Sequence, residues 1–587
     1  MRPNHLLFKN NPVSLFSSFL ARRKEVLSLS LVWIVMALLV DPRGEFPLND
    51  DWMYAHSAMT FLTQGRFELF DWQAITVLGQ VLWGALFAKF FGFSMTMLRI
   101  SVLVLGLLGV WSTYGLLRAS KTSNLLSFWG ALTLATTPLY FGVANSFMTD
   151  VPFYALTVSS YFFLFRYFEK EKPLDLAGGI LFACLAILFR QLALVIPCSF
   201  ALAYLASKNF NKKGWFVAVL SGVIVFGVYA AYYWWVKKNI GIPFMYHQKT
   251  ALFASFFKSA GTALFWKFIL HLFVSLSSVL NYLGFFLFPL LILGVPVYWK
   301  KLLSVETGIV CAGLCFQVGL MLYVGLTTSA KVIMPSAPNY IYDFGFGPLT
   351  VYYGFERMPV APITLWWVVT AIGVLGSGII LANFTLPLFR FIRTPFKERD
   401  PRDLWRWILC FIACAAYFFP CGLSGHFDRY MTFYMPFVMI LALDPANRIS
   451  PKELRRLLPV SVLLMLLIGY YSVAGTHDYL SWNRTRWNVL QNLMSVKGVS
   501  PLQIDGGIEF NAWYTYHAYP EPIRVPFDVN YRKSLHKMWY WVYDDEYLLS
   551  FKPLEGYQPL QAFSYSRWLP PFKSPPLLLL HRKGEKI

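Results

Sequence analysis

"EVLSLSLVWIVMALLVD", residues 25–41, follows Arg22, Arg23 and Lys24 and leads within a few residues to "PLNDDWMYAH", residues 47–56. Apolar runs of this kind, about 16 to 28 residues long, recur along most of the chain, as a helix rising about 1.5 Å per residue needs to cross a hydrocarbon core. Lipid offers the backbone no hydrogen-bond partner, so each crossing must be helical, and no alternating pattern of barrel strands is present. Of the 587 residues, 57% are hydrophobic and only 14% charged. With a mean hydropathy of +0.50, these values exclude an ordinary soluble globular protein and define a polytopic membrane protein.

The net charge of +21 invites a nucleic-acid reading until the charges are placed. They fall at Arg22, Arg23 and Lys24; Arg118 and Lys121; Arg166, Lys170 and Lys172; Lys208, Lys212 and Lys213; Lys300 and Lys301; Arg390, Arg393, Lys397, Arg399 and Arg402; and Arg448, Lys452, Arg455 and Arg456. Placing these clusters inside, as the positive-inside rule prefers, puts the N-terminus in the cytoplasm. Crossings are then expected near 25–41, 96–117, 123–140, 151–167, 174–189, 191–206, 214–235, 279–298, 305–327, 363–390, 405–420, 430–445 and 457–473. That is about thirteen, an odd number that leaves the C-terminus outside. The stretches 75–93 and 254–277 are expected to be interfacial helices. The first run lacks a small-residue cleavage site and is expected to remain as a signal anchor.

The expected organisation is a cytoplasmic segment 1–24, a transmembrane unit 25–473 with exterior loops 42–95, 236–278 and 328–362, and an exterior α/β domain 474–587. In that domain Tyr479, Trp482, Trp487, Leu490 and Leu493 fall mostly at helical spacings. "LQIDGGIEFNAWY", "MWYWVYDDEYLLSF" and "PPLLLLHRKG" read as short strands, the first around a Gly-Gly turn. The seven cysteines, Cys184, Cys198, Cys311, Cys315, Cys410, Cys414 and Cys421, lie in or beside apolar segments. Packing is their expected use, rather than disulfides or thiolate metal sites.

Chemistry is sought on the outer side. Asp50 and Asp51 open the first exterior loop, where they either cap the helix that "WMYAHSAMTFLTQG" forms or act as working carboxylates. Asp150, in "NSFMTDVPFYAL", stands at a second helix mouth with Pro152 behind it, suited both to an N-cap and to a site facing the loop. Arg190-Gln191 form an isolated polar step between apolar segments. Arg190 serves there as a snorkelling anchor or as a bidentate ligand for a lipid phosphate. "SGHFDRYMTFYMP" brings His426, Asp428, Arg429 and Tyr430 to the outer end of another helix. His56 and His247, in the first and second long exterior loops, are further substrate-binding candidates.

In order and spacing, "NDDWMYAH", "MTDVP", "LFRQLAL" and "DRYMTFYMP" resemble the GT-C superfamily of polytopic glycosyltransferases. The resemblance is to its bacterial branch, similar to protein O-mannosyltransferases and the lipid A aminoarabinose transferase. It covers roughly residues 25–475. It implies transfer of a sugar from a polyprenyl-phosphate donor to an acceptor hydroxyl of a cell-envelope glycolipid, polysaccharide or protein on the extracytoplasmic face. A bacterial inner membrane is the implied location. The first-loop acid becomes the general base, Asp50 ahead of Asp51, with Asp150 orienting the acceptor or the base. Relatives often carry an acid followed by lysine later in this loop. Here "FELFDWQAITVLGQ" has Glu68 and Asp71 without the lysine. Donor phosphate then falls to Arg190, Gln191, Arg429 and Tyr430, no cofactor is expected, and a divalent metal stays open.

A polyprenyl phosphate is a competent leaving group, so one carboxylate to take the acceptor proton and one cation to meet the phosphate suffice, with inversion. The alternative is a transporter or flippase of lipid-linked or small polar substrates. That class favours ionisable groups at helix centres and repeated halves, whereas the charges here stand at helix ends.

Overall fold

The computed structural model describes residues 12–73, 76–299, 304–328, 330–342, 345–347, 351, 361–394, 404–447, 449–518, 541–542 and 544–584. The chain is mostly helical. The first ten helices are α1 (Pro12–Val40), α2 (Asp51–Gln64), α3 (Leu78–Phe91), α4 (Met95–Ala119), α5 (Asn124–Thr136), α6 (Pro138–Ala144), α7 (Asp150–Lys170), α8 (Pro173–Phe189), α9 (Val195–Ser207) and α10 (Lys212–Asn239). There follow α11 (Phe244–Lys258), α12 (Ala263–Phe286), α13 (Phe288–Trp299), α14 (Val305–Thr327), α15 (Ile363–Arg393), α16 (Trp405–Ser424), α17 (Met435–Ala446), α18 (Pro451–Ser495) and α19 (Ile508–Thr515).

Among the described residues seven helices, α4, α10, α12, α14, α15, α16 and α18, are long and apolar enough to cross a membrane. The protein is thus an integral membrane protein, and several of the segments expected to cross form shorter or divided helices. The run 123–140 divides at Thr137–Pro138, because proline lacks the N–H that would continue α5 and instead opens α6 at its first turn. The stretch 254–277, expected at the interface, is largely merged with the start of the 279–298 crossing in α12. Thr262 caps that helix by accepting the Phe265 N–H, and its apolar residues continue without a break to Phe286.

α18 begins with a capping box, Ser450 and Glu453 satisfying each other's backbone N–H groups. Its 45 residues correspond to about 67 Å of continuous helix. The expected crossing 457–473 and the expected exterior helix around Trp482 are therefore one rod, and residue 474 lies inside it. Arg484 and Arg486 are carried rigidly out of the transmembrane part on this rod.

The C-terminal sheet has strands β1 (Ile504–Asp505), β2 (Tyr547–Ser550), β3 (Tyr557–Phe563) and β4 (Leu577–Arg582), in spatial order β1-β2-β4-β3. β1 runs parallel to β2, and β4 is antiparallel to both neighbours. Leu577 to Leu580 are all buried, as a strand covered on both faces requires. Pro559 is tolerated because β3 is an edge, where a ladder donor can be lost, and the register shifts beside it. One expected strand is corrected. After Asp505, Gly507 takes φ +94 and turns the chain into α19, so "IEFNAWYT" is helical. Parts of "MWYWVYDDEYLLSF" before residue 541 lie outside the described residues, as does Trp539.

A second apolar cluster of Trp52, Met53 and Phe70 with Ala512, Tyr516 and Trp541 docks this C-terminal unit on α2 and the segment that follows it. Trp52 packs on Phe70, Tyr516 and Trp541 with ring centroids 5.2, 5.5 and 5.4 Å away. Aromatic burial of this kind favours edge and tilted contacts, and it spends these tryptophans on packing.

Candidate active site

The loop between α1 and α2 is held by its own backbone groups. Arg99, fully buried near the start of α4, donates to the carbonyls of Pro42 and Gly44 at 3.0 and 2.8 Å and also to that of Phe46. Arg484 of α18 donates to the carbonyls of Arg43 at 3.0 Å, Val40 at 3.3 Å and Asp41. Loop carbonyls buried without such partners would each carry a desolvation cost, so the two arginines fix the path of the chain.

Asp50 and Asp51 then part company. Asp51 is 1% exposed. One of its oxygens accepts the Leu48 N–H and the other the Phe147 N–H at 2.9 Å. Burial pushes its pKa up to about 7, against the opposing pull of Arg99 and these two N–H groups. With both oxygens occupied by backbone, Asp51 ties the first loop to the segment that leads into α7. Asp50 occupies the N-cap position of α2, but its side chain makes no capping bond. Its carboxylate is 28% exposed and faces Arg429 Nη2 at 3.3 Å.

Asp150 begins α7, with Thr149 in the N-cap place expected for Asp150. Its Oδ2 lies 3.0 Å from Arg190 Nη2 and 3.8 Å from Arg429 Nη1. Arg190 Nε also donates to Thr149 Oγ1 at 2.8 Å. The four groups form a chain of alternating sign, Asp50, Arg429, Asp150, Arg190, drawn from the first loop, the α16–α17 connection, the α7 mouth and the α8–α9 step. Tyr430 stands under both cations, with the guanidinium carbons of Arg190 and Arg429 at 5.4 and 5.5 Å from its ring centre. Arg429 Nε is buried without a hydrogen-bond partner.

Asp428 repeats the role of Asp51. It is buried and accepts the N–H groups of Tyr340 at 2.9 Å, Ile341 at 2.6 Å and Arg429 at 2.8 Å. Burial raises its pKa to about 6 in spite of those donors. In each of these two neighbouring charged pairs, Asp50-Asp51 and Asp428-Arg429, one aspartate braces backbone and its neighbour, Asp50 or Arg429, faces the cluster.

The remaining candidates divide. Gln191 exchanges hydrogen bonds with Thr76, which accepts its N–H at 2.7 Å and donates to its Oε1 at 2.6 Å. Its amide therefore fixes the first loop. His426 packs edge-on to Tyr430 at 5.9 Å, and neither of its ring nitrogens has a hydrogen-bond partner. Burial, with His271 nearby, drops its pKa to about 3, so it is neutral. His56 lies among Phe70, Trp513 and His517 at the docked C-terminal unit. His247 is exposed on α11. Among the described residues no group of three or more His, Cys, Asp or Glu side chains is arranged to hold a metal ion.

Tyr54, one helical turn beyond Asp50 in α2, was not singled out by the sequence. Burial and the Asp50 carboxylate hold its phenol above its usual pKa, with Arg190, Arg429 and Asp150 also within electrostatic reach. The i, i+4 spacing from Asp50 was the available signal.

Residues 81–235 match the family model described as dolichyl-phosphate-mannose-protein mannosyltransferase. That match contains Asp150 and Arg190 but neither Asp50 nor Arg429. The fold is similar to ArnT from Cupriavidus metallidurans bound to undecaprenyl phosphate, with 12% identity, TM-score 0.47, and 95% of this chain and 98% of that one covered. It is similar to the apo state of the same protein at 12% identity and TM-score 0.35, covering 94% of this chain and 98% of that one. An Archaeoglobus fulgidus oligosaccharyltransferase, in a complex with Zn and sulfate, has 13% identity and TM-score 0.41, with 76% of this chain and 53% of that chain covered. No curated protein matches in sequence. The motif resemblance is to proteins of the kind that the family model describes, and that model spans about a quarter of the chain.

Proposed function

We propose that this chain is a membrane glycosyltransferase that moves a sugar from a polyprenyl-phosphate donor to an acceptor hydroxyl at the extracytoplasmic face. The observation that carries this reading is the Asp50–Arg429–Asp150–Arg190 chain, which sets one partly exposed carboxylate against the buried Arg429 and links that cation through Asp150 to the partly buried Arg190.

In this mechanism Asp50 takes the proton of the acceptor hydroxyl as its oxygen attacks the anomeric carbon. The bond from that carbon to the phosphate oxygen breaks, and its electron pair leaves with the phosphate. Arg429 and Arg190 meet the charge that develops there, as preorganised donors in a dry site do most effectively. Asp150, shared between the two guanidinium groups, holds them at a fixed spacing. Phosphate bound at the Arg429 edge competes with Asp50 for that cation and so frees the base when donor is present. Single displacement gives inversion at the anomeric centre. The phosphate leaves without protonation, so the scheme itself calls for no cofactor. Acceptors of this class are envelope glycolipids, polysaccharides or proteins, in a bacterial inner membrane with the N-terminus in the cytoplasm.

The test is sugar transfer by the purified protein in lipid, from a panel of polyprenyl-phosphate sugars to a membrane extract, with the anomeric configuration of the product determined. Retention of configuration overturns the single displacement.

A further inference from the structure

Asn49, immediately before Asp50, has φ +56 and is thus held in the left-handed region. Asparagine tolerates that conformation better than most residues, yet something must select it. Its N–H donates to Glu509 Oε1 at 3.0 Å, across 460 residues of sequence. Glu509 stands in the first turn of α19 and is 1% exposed. Its other oxygen receives Arg486 Nη2 at 2.9 Å. Arg486, fully buried on the outer half of α18, also donates to Gly506 O at 2.7 Å and Asn483 Oδ1 at 3.1 Å. The Asn49 amide donates to Asn339 Oδ1 at 3.4 Å. Asp51 braces the other side of Asp50, so the reacting carboxylate is flanked by two buried acids that bind backbone rather than substrate.

We propose that Glu509 is a positioning residue for Asp50, fixing the Asn49 turn so that docking of the C-terminal unit sets the direction of the base. This rests on the reading of Asp50 as general base. Through Glu509 the C-terminal unit reaches the loop that carries Asp50. The hydrogen bond gives it a catalytic consequence, because a small misplacement of a reacting group costs rate.

Glu509→Ala alone would strand the Arg486 charge in the interior and test folding instead. Two double variants avoid this. Arg486→Met with Glu509→Gln keeps an acceptor for the Asn49 N–H, whereas Arg486→Met with Glu509→Ala removes it. Both are compared with wild type and Asp50→Asn for kcat and donor KM, and by hydrogen exchange of the 42–51 and 504–515 segments. The proposal predicts that the alanine double variant loses about tenfold or more in kcat relative to the glutamine one, with the smaller change in donor KM. It also predicts faster exchange in 42–51 while 504–515 stays protected. Equal kcat and equal exchange in the two double variants overturn it, as does loss of protection throughout 504–515 in the alanine variant alone. Should Asp50→Asn transfer sugar normally, the base reading fails separately, and the exchange comparison alone decides whether Glu509 holds the turn.

Discussion

The guanidinium of Arg429 lies 3.3 Å from the carboxylate of Asp50 and 3.8 Å from that of Asp150. One cation thus joins the start of α2 to the mouth of α7, and its Nε is buried without a hydrogen-bond partner. A phosphate that reaches this group meets a donor already desolvated and already aimed.

Arg429→Lys is therefore expected to behave as a severe change. An ammonium cannot span both acids in the planar fork that guanidinium offers. Donor KM should rise and kcat fall, each by about tenfold or more. Steady-state kinetics at varied donor check this, and wild-type values for both constants contradict it.

Asp150→Asn removes the carboxylate that Arg190 and Arg429 share and leaves only Asp50, on the far side of Arg429, to offset the two cations. The expected result is loss of stability of about 3 kcal/mol or more, as when one partner of a buried ion pair is removed. Added polyprenyl phosphate should partly restore it, since the anion replaces the missing charge. Thermal unfolding in detergent with and without that lipid reads both effects.

The pH dependence of stability carries a signature of Asp51, whose folded pKa is raised to about 7 by burial. An unfolded aspartate titrates near 3.9, so between about pH 4 and 7 the native protein binds the extra proton. This contribution is fully present below pH 4 and is lost as pH rises through about 7. Asp51→Asn should flatten that part of the curve of unfolding midpoint against pH. An unaltered slope contradicts the assignment.

Chelation is expected to leave transfer intact, because the two guanidinium groups and a ready leaving group supply what the proposed displacement needs. Activity measured after exhaustive treatment with EDTA, then with added Mg²⁺ or Mn²⁺, checks this. Loss on chelation with recovery on metal addition would contradict the scheme.

The charged members of the cluster stood out in the sequence for a physical reason. In a chain with so few charges, an acid or arginine at the outer mouth of an apolar helix needs a partner or a function. Asp50, Asp150, Arg190 and Arg429 all occupy such mouths, and the structure brings them together. What separates Asp50 from Asp51 was not legible, because it depends on the Phe147 N–H arriving from far along the chain. Long-range bonds likewise hid Arg99, Arg484 and the Arg486–Glu509 pair, which read locally as ordinary helix charges. The strand expected at 508–514 failed because Gly507 could end β1 in either direction, and only the packing of α19 on α2 selects helix. His247 and His56 show the opposite limit, a reactive side chain in an exterior loop without a place in the cluster.

The measurement that bears most directly on the central claim is sugar transfer from polyprenyl-phosphate donors by wild type and Asp50→Asn, in lipid, with donor binding followed in parallel. The account predicts that Asp50→Asn binds donor but loses transfer by about a hundredfold or more, the scale of a positioned general base. Transfer at the wild-type rate by a folded Asp50→Asn protein would contradict it.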